Sequence, residues 1–386
     1  MIYRLSDNII SPLGFNSKDN YSQIKNGNSG LKPYENRFNL PEPFFASLIN
    51  EEEINDRFST LPKTTNEKYT KLEKLSILSC YDAINLSNIN PSSKDVIFVF
   101  STTKGNVELL EENKEFEKER VYLWKSAQVI KDYFHNPNQP IVVTNACISG
   151  VAAQLTAFSF LNNHNFKYAI VVGAEVLSKF IISGFQSFKA LSMQMCKPFD
   201  RDRDGLNLGE GAATIVYKLA DNNEVLPKDR IEFISGAVRN DANHISGPSR
   251  TGEGLFNAIS ETIKGYDTNK LSFINAHATS TPYNDNMESF AIERGGINNV
   301  PVNSLKPYLG HTLGAAGILE TIISFHSLID NTIIKTLNHQ NYGVEKSIIV
   351  NVSNKESKKP AFIKLISGFG GSNAAIMFEK LGYDKY

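Results

Sequence analysis

Three side chains able to act as nucleophile or proton carrier stand in unusual sequence surroundings. Cys147 follows the β-branched run Ile141-Val-Val-Thr144 and precedes a helical pattern that begins near Ile148. A cysteine at a helix N-terminus sits among orphan N–H groups and the positive end of the helix dipole, which favour a thiolate. Its neighbours Ala146, Ser149 and Gly150 are small enough to admit a bulky thioester. The competing reading is a small buried hydrophobe, the usual fate of a lone cysteine; Cys80 and Cys196 are read that way. His277 leaves a strand-like run in Ile274-Asn-Ala-His-Ala-Thr-Ser-Thr-Pro282, at the carboxyl end where open α/β sheets place their sites. His311 lies in Lys306-Pro-Tyr-Leu-Gly-His-Thr-Leu-Gly-Ala-Ala-Gly317, entering a helix through small residues that let a backbone or substrate come close. Taken singly, each histidine also fits a hydrogen-bonded structural residue. His135, His164, His244, His326 and His339 lack any such setting.

Acidic and basic residues surround these positions. Asp285 and Glu288 follow His277 and are three residues apart, which places both on one helix face. A buried Lys306–Glu320 pair would fix the loop carrying His311 and bias its proton state; a surface pair would contribute almost nothing. Gly368-Phe369-Gly370-Gly371 lies between strand-like stretches, without the spacing and following helix of a dinucleotide site. A flexible turn with one aromatic suits a gate, and its N–H groups suit an oxyanion hole. A plain hairpin turn is the alternative.

The elements that position these residues read as layered α/β. Short apolar runs at Asp95–Phe100, Ile141–Thr144, Tyr168–Val172, Ile231–Ser235, Ser272–Asn275, Ser347–Asn351 and Ala361–Ile366 predict buried strands. Helical patterns lie between them, as at Leu72–Ile84 and Ile148–Leu161. At 386 residues the chain exceeds a single core. The polar stretch Ala220–Lys228 divides it into residues 1–225 and 226–386, two halves of similar strand content without a visible residue-level repeat. The run Ala361–Leu381 predicts an antiparallel pair at a sheet edge.

Composition narrows the class. Forty Lys+Arg against 41 Asp+Glu give a net charge of −1, which removes the case for a general nucleic-acid binder. No segment approaches the ~18 apolar residues of a membrane span, and the N-terminal residues lack a signal-peptide pattern. Three cysteines without CxxC spacing argue against a disulfide scaffold or a metal site. The expectation is a cytoplasmic enzyme with free thiols.

Asn145-Ala-Cys147-Ile-Ser-Gly, Asn275-Ala-His277-Ala-Thr-Ser-Thr-Pro, Lys306 with His311-Thr-Leu-Gly-Ala-Ala-Gly, and Gly368-Phe369-Gly-Gly-Ser-Asn occur in that order. Together they resemble the β-ketoacyl-acyl carrier protein synthases of the elongating Cys-His-His type. Asp202-Arg-Asp-Gly-Leu-Asn-Leu-Gly-Glu-Gly211 and Ile9-Ile-Ser-Pro-Leu-Gly14 extend the likeness over nearly the whole chain. Thiolases use a second cysteine near the C-terminal glycine loop, and none follows Cys196 here. The initiating synthases carry Asn where His311 stands, and chain-length factors lack the nucleophile. Two departures bear on acyl specificity: Ala278 replaces a more usual glycine, and Leu206 stands where an aromatic often lines the acyl pocket.

The resemblance implies a thiolase-like five-layer αβαβα fold made of two similar halves, usually as a homodimer, or as a heterodimer with a related subunit. It implies decarboxylative Claisen condensation of an acyl chain on Cys147 with malonyl-ACP, in fatty acid or related chain elongation. His277 and His311 would hold the enolate oxygen; the N–H groups of Cys147 and Phe369 would hold the thioester oxyanion, with Gly368 and Gly370 shaping the gate. Lys306, Glu320, Asp285 and Glu288 would support the site, and Thr279 and Thr281 would bind the pantetheine arm. No cofactor is implied beyond the phosphopantetheine that arrives on acyl-ACP and malonyl-ACP. A polyketide or aryl-polyene ketosynthase, paired with a chain-length-factor subunit, is an alternative within the class; a non-condensing acyl-binding subunit is another. Carrier proteins in such systems are acidic, and Lys68, Lys71 and Lys74, ahead of the Leu75–Ile84 helix, are the expected dock. A solvated helix face is the competing reading of those lysines.

Overall fold

The computed structural model of the chain describes residues 1–64, 67–111, 115–221, 224–245 and 247–382. Asn222 and Asn223, in the predicted boundary stretch, lie outside the described residues. Among the described residues eleven strands join into one sheet. In chain order they are β1 (Ile2–Ile10), β2 (Val96–Ser101), β3 (Ile141–Val143), β4 (Tyr168–Glu175), β5 (Gly211–Leu219) and β6 (Arg230–Asn240). There follow β7 (Leu271–Asn275), β8 (Pro301–Asn303), β9 (Ile349–Val350), β10 (Ala361–Gly368) and β11 (Ser372–Leu381).

The spatial order is β9-β8-β7-β10-β11-β6-β1-β5-β4-β2-β3. Its middle is a seam where β1 and β6 pair only at Tyr3 and Glu232. Outward from β1 the pairings run antiparallel to β5, antiparallel to β4, parallel to β2 and parallel to β3. Outward from β6 they run antiparallel to β11, antiparallel to β10, parallel to β7 and parallel to β8. The two half-sheets therefore share one topology.

Helices turn this sheet into layers: α1 (Lys71–Ser87), α2 (Leu123–Tyr133), α3 (Ser149–Asn162), α4 (Lys179–Ser187), α5 (Glu253–Thr262), α6 (Pro282–Arg294) and α7 (Ala316–Ile329). α1 covers β1, β4 and β5, while α5 covers β6 and β11 with α6 against it. α3 and α7 touch both half-sheets and each other, which makes the five-layer αβαβα, thiolase-like arrangement. Sequence dictates that middle layer, because a helix apolar on all sides must be buried on all sides. In α7 the residues Ile318, Leu319, Ile322, Ile323 and Phe325 are all fully buried. The two helices meet at backbone distance. A Cβ on Gly317 would lie 2.5 Å from the Val151 nitrogen, and one on Gly150 would lie 2.9 Å from the Ile318 nitrogen.

One expectation is corrected. β10 and β11 are antiparallel, but they lie inside the sheet rather than at its edge, because β11 also pairs along its whole length with β6. The outer strands are β3 and β9. Strands β1 and β5, which flank the seam on one side, were not read from the sequence. β1 carries Ser6, Asp7 and Asn8 in its middle, and their polarity hides a buried strand. Asp7 is satisfied by Arg4 and by the His326 ring 3.1 Å away, so His326 has a structural partner after all. Ser6 Oγ donates to the Ala83 carbonyl at 2.6 Å.

Gly317→Ala should force α3 and α7 apart and cost about 1–3 kcal/mol, the range for overpacked sites. A urea midpoint unchanged from wild type would contradict this account of the middle layer.

Candidate active site

Cys147 sits on a strained elbow. β3 ends at Val143, Ala146 takes a left-handed φ of +44°, and α3 starts two residues after the cysteine. An L-residue in that region carries a cost of roughly 1 kcal/mol, so neighbours must hold it. Ser149 Oγ accepts from the Asn145 N–H at 2.8 Å and donates to the Ala146 carbonyl at 2.6 Å. Ser372 Oγ, from the other half, donates to Asn145 Oδ1 at 2.8 Å. The β10–β11 turn packs on the same elbow: a Cβ on Gly368 would lie 3.0 Å from the Cys147 nitrogen. The Phe369 N–H donates toward the Cys147 sulfur.

His277 stands two residues beyond β7, and two acids on one face of α6 fix its segment. Glu288 accepts the N–H groups of His277 at 2.8 Å and Ala278 at 2.5 Å. Asp285 accepts those of Ser280 at 3.1 Å and Phe199 at 2.7 Å. These bonds hold Ala278 and Ser280 at φ of +35° and +68°. The alanine occupies a conformation that glycine adopts without strain. Burial pushes Glu288 up to about 7 and Asp285 up to about 6. Both acids spend their oxygens on backbone N–H groups.

His311 is clamped by the segment Asn207–Gly209. Its N–H donates to the Asn207 carbonyl at 2.7 Å, and its carbonyl accepts from the Gly209 N–H at 3.1 Å. Gly310 has a φ of +69°, and a Cβ there would meet the Leu208 carbonyl oxygen at 2.4 Å, so only glycine fits. The sequence motif Asp202–Gly211 thus serves the second histidine.

The three side chains converge. The Cys147 sulfur and one nitrogen from each imidazole lie within 4.8 Å of one another, and the rings sit 5.0 Å apart, nearly perpendicular. Cys147, His277 and His311 are 8%, 3% and 1% exposed. Among the described residues, His277 Nδ1 and both ring nitrogens of His311 are buried without a hydrogen-bond partner. Burial and then Lys306 hold both imidazoles well below the usual histidine range, so both are neutral. The thiol behaves differently from expectation. Burial pushes Cys147 up to about 11, against the pull of Lys306, Lys104 and the Phe369 N–H, so the resting group is a thiol rather than a thiolate. Such a donor set is one that zinc can use. Two buried ammonium groups near the imidazoles, Lys306 and Lys364, oppose a dication there.

Lys306 and Glu320 do form a buried pair. A second lysine absent from the sequence reading, Lys364, reaches the other oxygen of Glu320 at 2.5 Å. Its signal was a lone lysine inside the apolar run Ala361–Ile366. Glu175, at the end of β4, was also missed. It accepts from the Gly314 N–H at 3.1 Å and from the Thr103 N–H, and burial pushes it up to about 7.

A cavity of about 530 Å³ opens onto the three side chains. Thr279, Thr281 and Leu206 line it, as do Gly368, Phe369 and Gly370. Thr279 and Thr281 hydroxyls pair at 2.9 Å. Phe369, 38% exposed, packs its ring on Phe185 at 6.0 Å and Phe188 at 5.6 Å. The predicted lysine dock does not form one face. Lys71 turns inward to the buried Glu210, 2.7 Å from both carboxylate oxygens, because a buried carboxylate requires a cation. Lys74 donates to Asn55 Oδ1 at 2.8 Å, and Lys68 pairs with Glu115 at 3.4 Å on the surface. None of the three lines the cavity.

The family model described as Beta-ketoacyl synthase, N-terminal domain, matches residues 7–222, and its C-terminal counterpart matches residues 232–340. The chain belongs to the β-ketoacyl synthase family. It is an acyltransferase-type condensing enzyme. It is 26% identical to a putative mitochondrial 3-oxoacyl-[acyl-carrier-protein] synthase of Schizosaccharomyces pombe, over 96% of this chain and 97% of the relative. It is 32% identical to 3-oxoacyl-[acyl-carrier-protein] synthase 2 of Rhizobium meliloti, over 65% of this chain and 62% of that one. Among solved structures, the ishigamide ketosynthase/chain length factor superposes with a TM-score of 0.88 at 20% identity, covering 99% of each chain. The ketosynthase with its chain length factor from Xenorhabdus doucetiae gives 0.86 at 21% identity, covering 98% of each chain. At these identities the structures establish the fold of this ketoacyl synthase. No helix among the described residues is long and apolar enough to cross a membrane.

Capture of Cys147 by iodoacetamide should climb with pH and show no plateau up to about pH 10, whereas an ordinary thiol, half ionised at about 8.5, has nearly levelled off by then. Cys80 and Cys196 are buried and pushed up to about 12, so peptide mapping should find label on Cys147 alone. A plateau already reached at neutral pH would restore the resting thiolate.

Proposed function

We propose that the chain is a 3-oxoacyl-acyl carrier protein synthase that condenses a Cys147-bound acyl chain with malonyl-ACP. The observation that carries this reading is the convergence of one thiol and two neutral, unpartnered imidazoles at the cavity floor. A neutral imidazole can donate one N–H to a developing oxyanion without giving up a proton.

In the first step the Cys147 sulfur attacks the acyl thioester. The bond to the carrier's sulfur breaks, and the cysteine's proton leaves with the released carrier thiol. The N–H groups of Cys147 and Phe369 would be the donors to the tetrahedral oxyanion: the Phe369 N–H already points at the sulfur, and Gly368 lies against the Cys147 nitrogen. In the second step the malonyl group loses CO2, and the electron pair of the broken C–C bond passes into an enolate. His277 and His311 donate to that oxygen through Nε2. The enolate carbon then attacks the Cys147 thioester, and the cysteine leaves as a thiolate that regains its proton from solvent. Side chains and backbone N–H groups perform every step, so the reaction calls on no resident cofactor.

Thr279 and Thr281 line the cavity, where they would bind the pantetheine arm, and Leu206 would face the acyl chain. Phe369 would act as the gate. Lys306, Glu320, Asp285 and Glu288 support the reacting groups without touching substrate.

With purified acyl-ACP and malonyl-ACP, the wild-type chain should form a 3-oxoacyl product seen by mass spectrometry, and Cys147→Ala should abolish it. His277→Ala and His311→Ala should each slow condensation about 10²–10³-fold, the cost of one oxyanion donor. Product that survives Cys147→Ala would remove the cysteine from the nucleophile's role.

A further inference from the structure

The charge behind the two histidines does not balance. Lys364 stands on β10, in register with Asn275 of the parallel neighbour β7, and it is fully buried. Its ammonium lies 2.5 Å from Glu320 Oε2 and donates to the Leu365 carbonyl at 2.9 Å and the Ala276 carbonyl at 3.2 Å. The last of these is the peptide that leads directly into His277. Glu320 already binds Lys306 through its other oxygen. One carboxylate therefore faces two buried ammonium groups, and a buried charge in excess is costly.

Burial lowers Lys364 to about 8 against the pull of Glu320, which leaves it mostly protonated at neutral pH, and Glu288 is the further acid that acts on it. On α6, Glu288 and Asp285 are each pushed up by burial and bound to backbone N–H groups. Cys147 is held as a thiol, with Glu175 and Lys104 acting on it. From the cavity wall come Asp204, Asp241 and His244. The field of Lys364 acts on both rings in the same sense as that of Lys306.

We propose that Lys364 is a positioning residue for condensation: it holds the His277 strand end and supplies the excess positive charge that keeps both imidazoles neutral donors and favours the enolate between them. The proposal rests on the decarboxylative reading above. It predicts a split between half-reactions, because the first step builds its oxyanion at the elbow and the second builds it between the histidines.

Two variants test it. Lys364→Met removes the charge and the donor and leaves Glu320 a matched partner in Lys306; Lys364→Gln keeps an amide donor without charge. In both, acylation of Cys147 from acyl-ACP, read by intact mass, should stay within about twofold of wild type. Release of labelled CO2 from malonyl-ACP should fall at least about tenfold, as expected when stabilisation of a developing oxyanion is lost. The acidic limb of that step should move to higher pH, since an imidazole freed of a nearby cation protonates more readily. Histidine titration followed by NMR needs no substrate and should show the same upward shift in either variant. Equal loss in both half-reactions with an unmoved limb and unmoved histidine titrations would reduce Lys364 to a structural role. Absence of any 3-oxoacyl product from wild type would instead overturn the functional reading, while the NMR titration would still judge the charge argument. If Lys364→Met does not fold, Lys364→Gln decides by the same readouts.

Discussion

The backbone contact between α3 and α7 is the constraint on which the rest depends. Cys147 precedes the first helix and His311 precedes the second, so the separation of the two helices sets the separation of nucleophile and imidazole. Gly150 and Gly317 allow that approach; their missing Cβ atoms are the space between the helices. Every layer outside then has a reason. Each half-sheet must cover one face of the helix pair, and the outer helices must cover the half-sheets, because both faces of these strands are apolar.

Burial is the second organising force, and it acts against the helix-terminus field. An N-terminal site favours an anion by roughly 0.3–1 kcal/mol at an exposed position. Complete desolvation of a thiolate costs more than this, and it decides the resting state of Cys147. The same desolvation neutralises both imidazoles. The site thus starts with its reacting groups uncharged and concentrates its fixed charge one shell out, in Lys306, Glu320 and Lys364. Charge that appears during reaction meets donors already in place rather than solvent that must reorganise.

Much of this was legible in the sequence, for a physical reason. Cys147, His277, His311 and the glycine turn lie at strand ends and helix starts, where local spacing and small residues mark a site without knowledge of long-range contacts. Lys306 with Glu320, and Asp285 with Glu288, follow helical or near-local spacing and read almost as well. Lys364 did not, because its partner comes from another element and the strand pattern around it is simply apolar. β1 was hidden because Asp7 meets His326 from α7, more than three hundred residues away. The lysine row is broken for the converse reason: a charge spaced every third residue looked solvent-facing, yet Lys71 answers to a buried glutamate 139 positions later. Long-range charge pairing is what single-sequence periodicity cannot see.

The shared topology of the halves accounts for how the site is assembled. β3 leads into α3 in the first half as β8 leads toward α7 in the second, so Cys147 and His311 occupy matching places before matching helices. The clamps match too. Glu175, at the carboxyl end of β4, reaches across to the Gly314 N–H ahead of α7. Gly368, at the carboxyl end of the corresponding β10, lies against the Cys147 nitrogen ahead of α3. Each half thereby holds the helix entry of the other. Symmetric scaffolding with asymmetric residues gives one entry a thiol and the other an imidazole, and His277, at the end of β7, completes the group from the second half alone. Its counterpart in the first half is the end of β2, where Thr103 gives its N–H to Glu175 and the Thr102 backbone lies against Gly314 instead. Divergence between matched positions, rather than any new element, is what separates the half that carries the thiol from the half that carries both imidazoles.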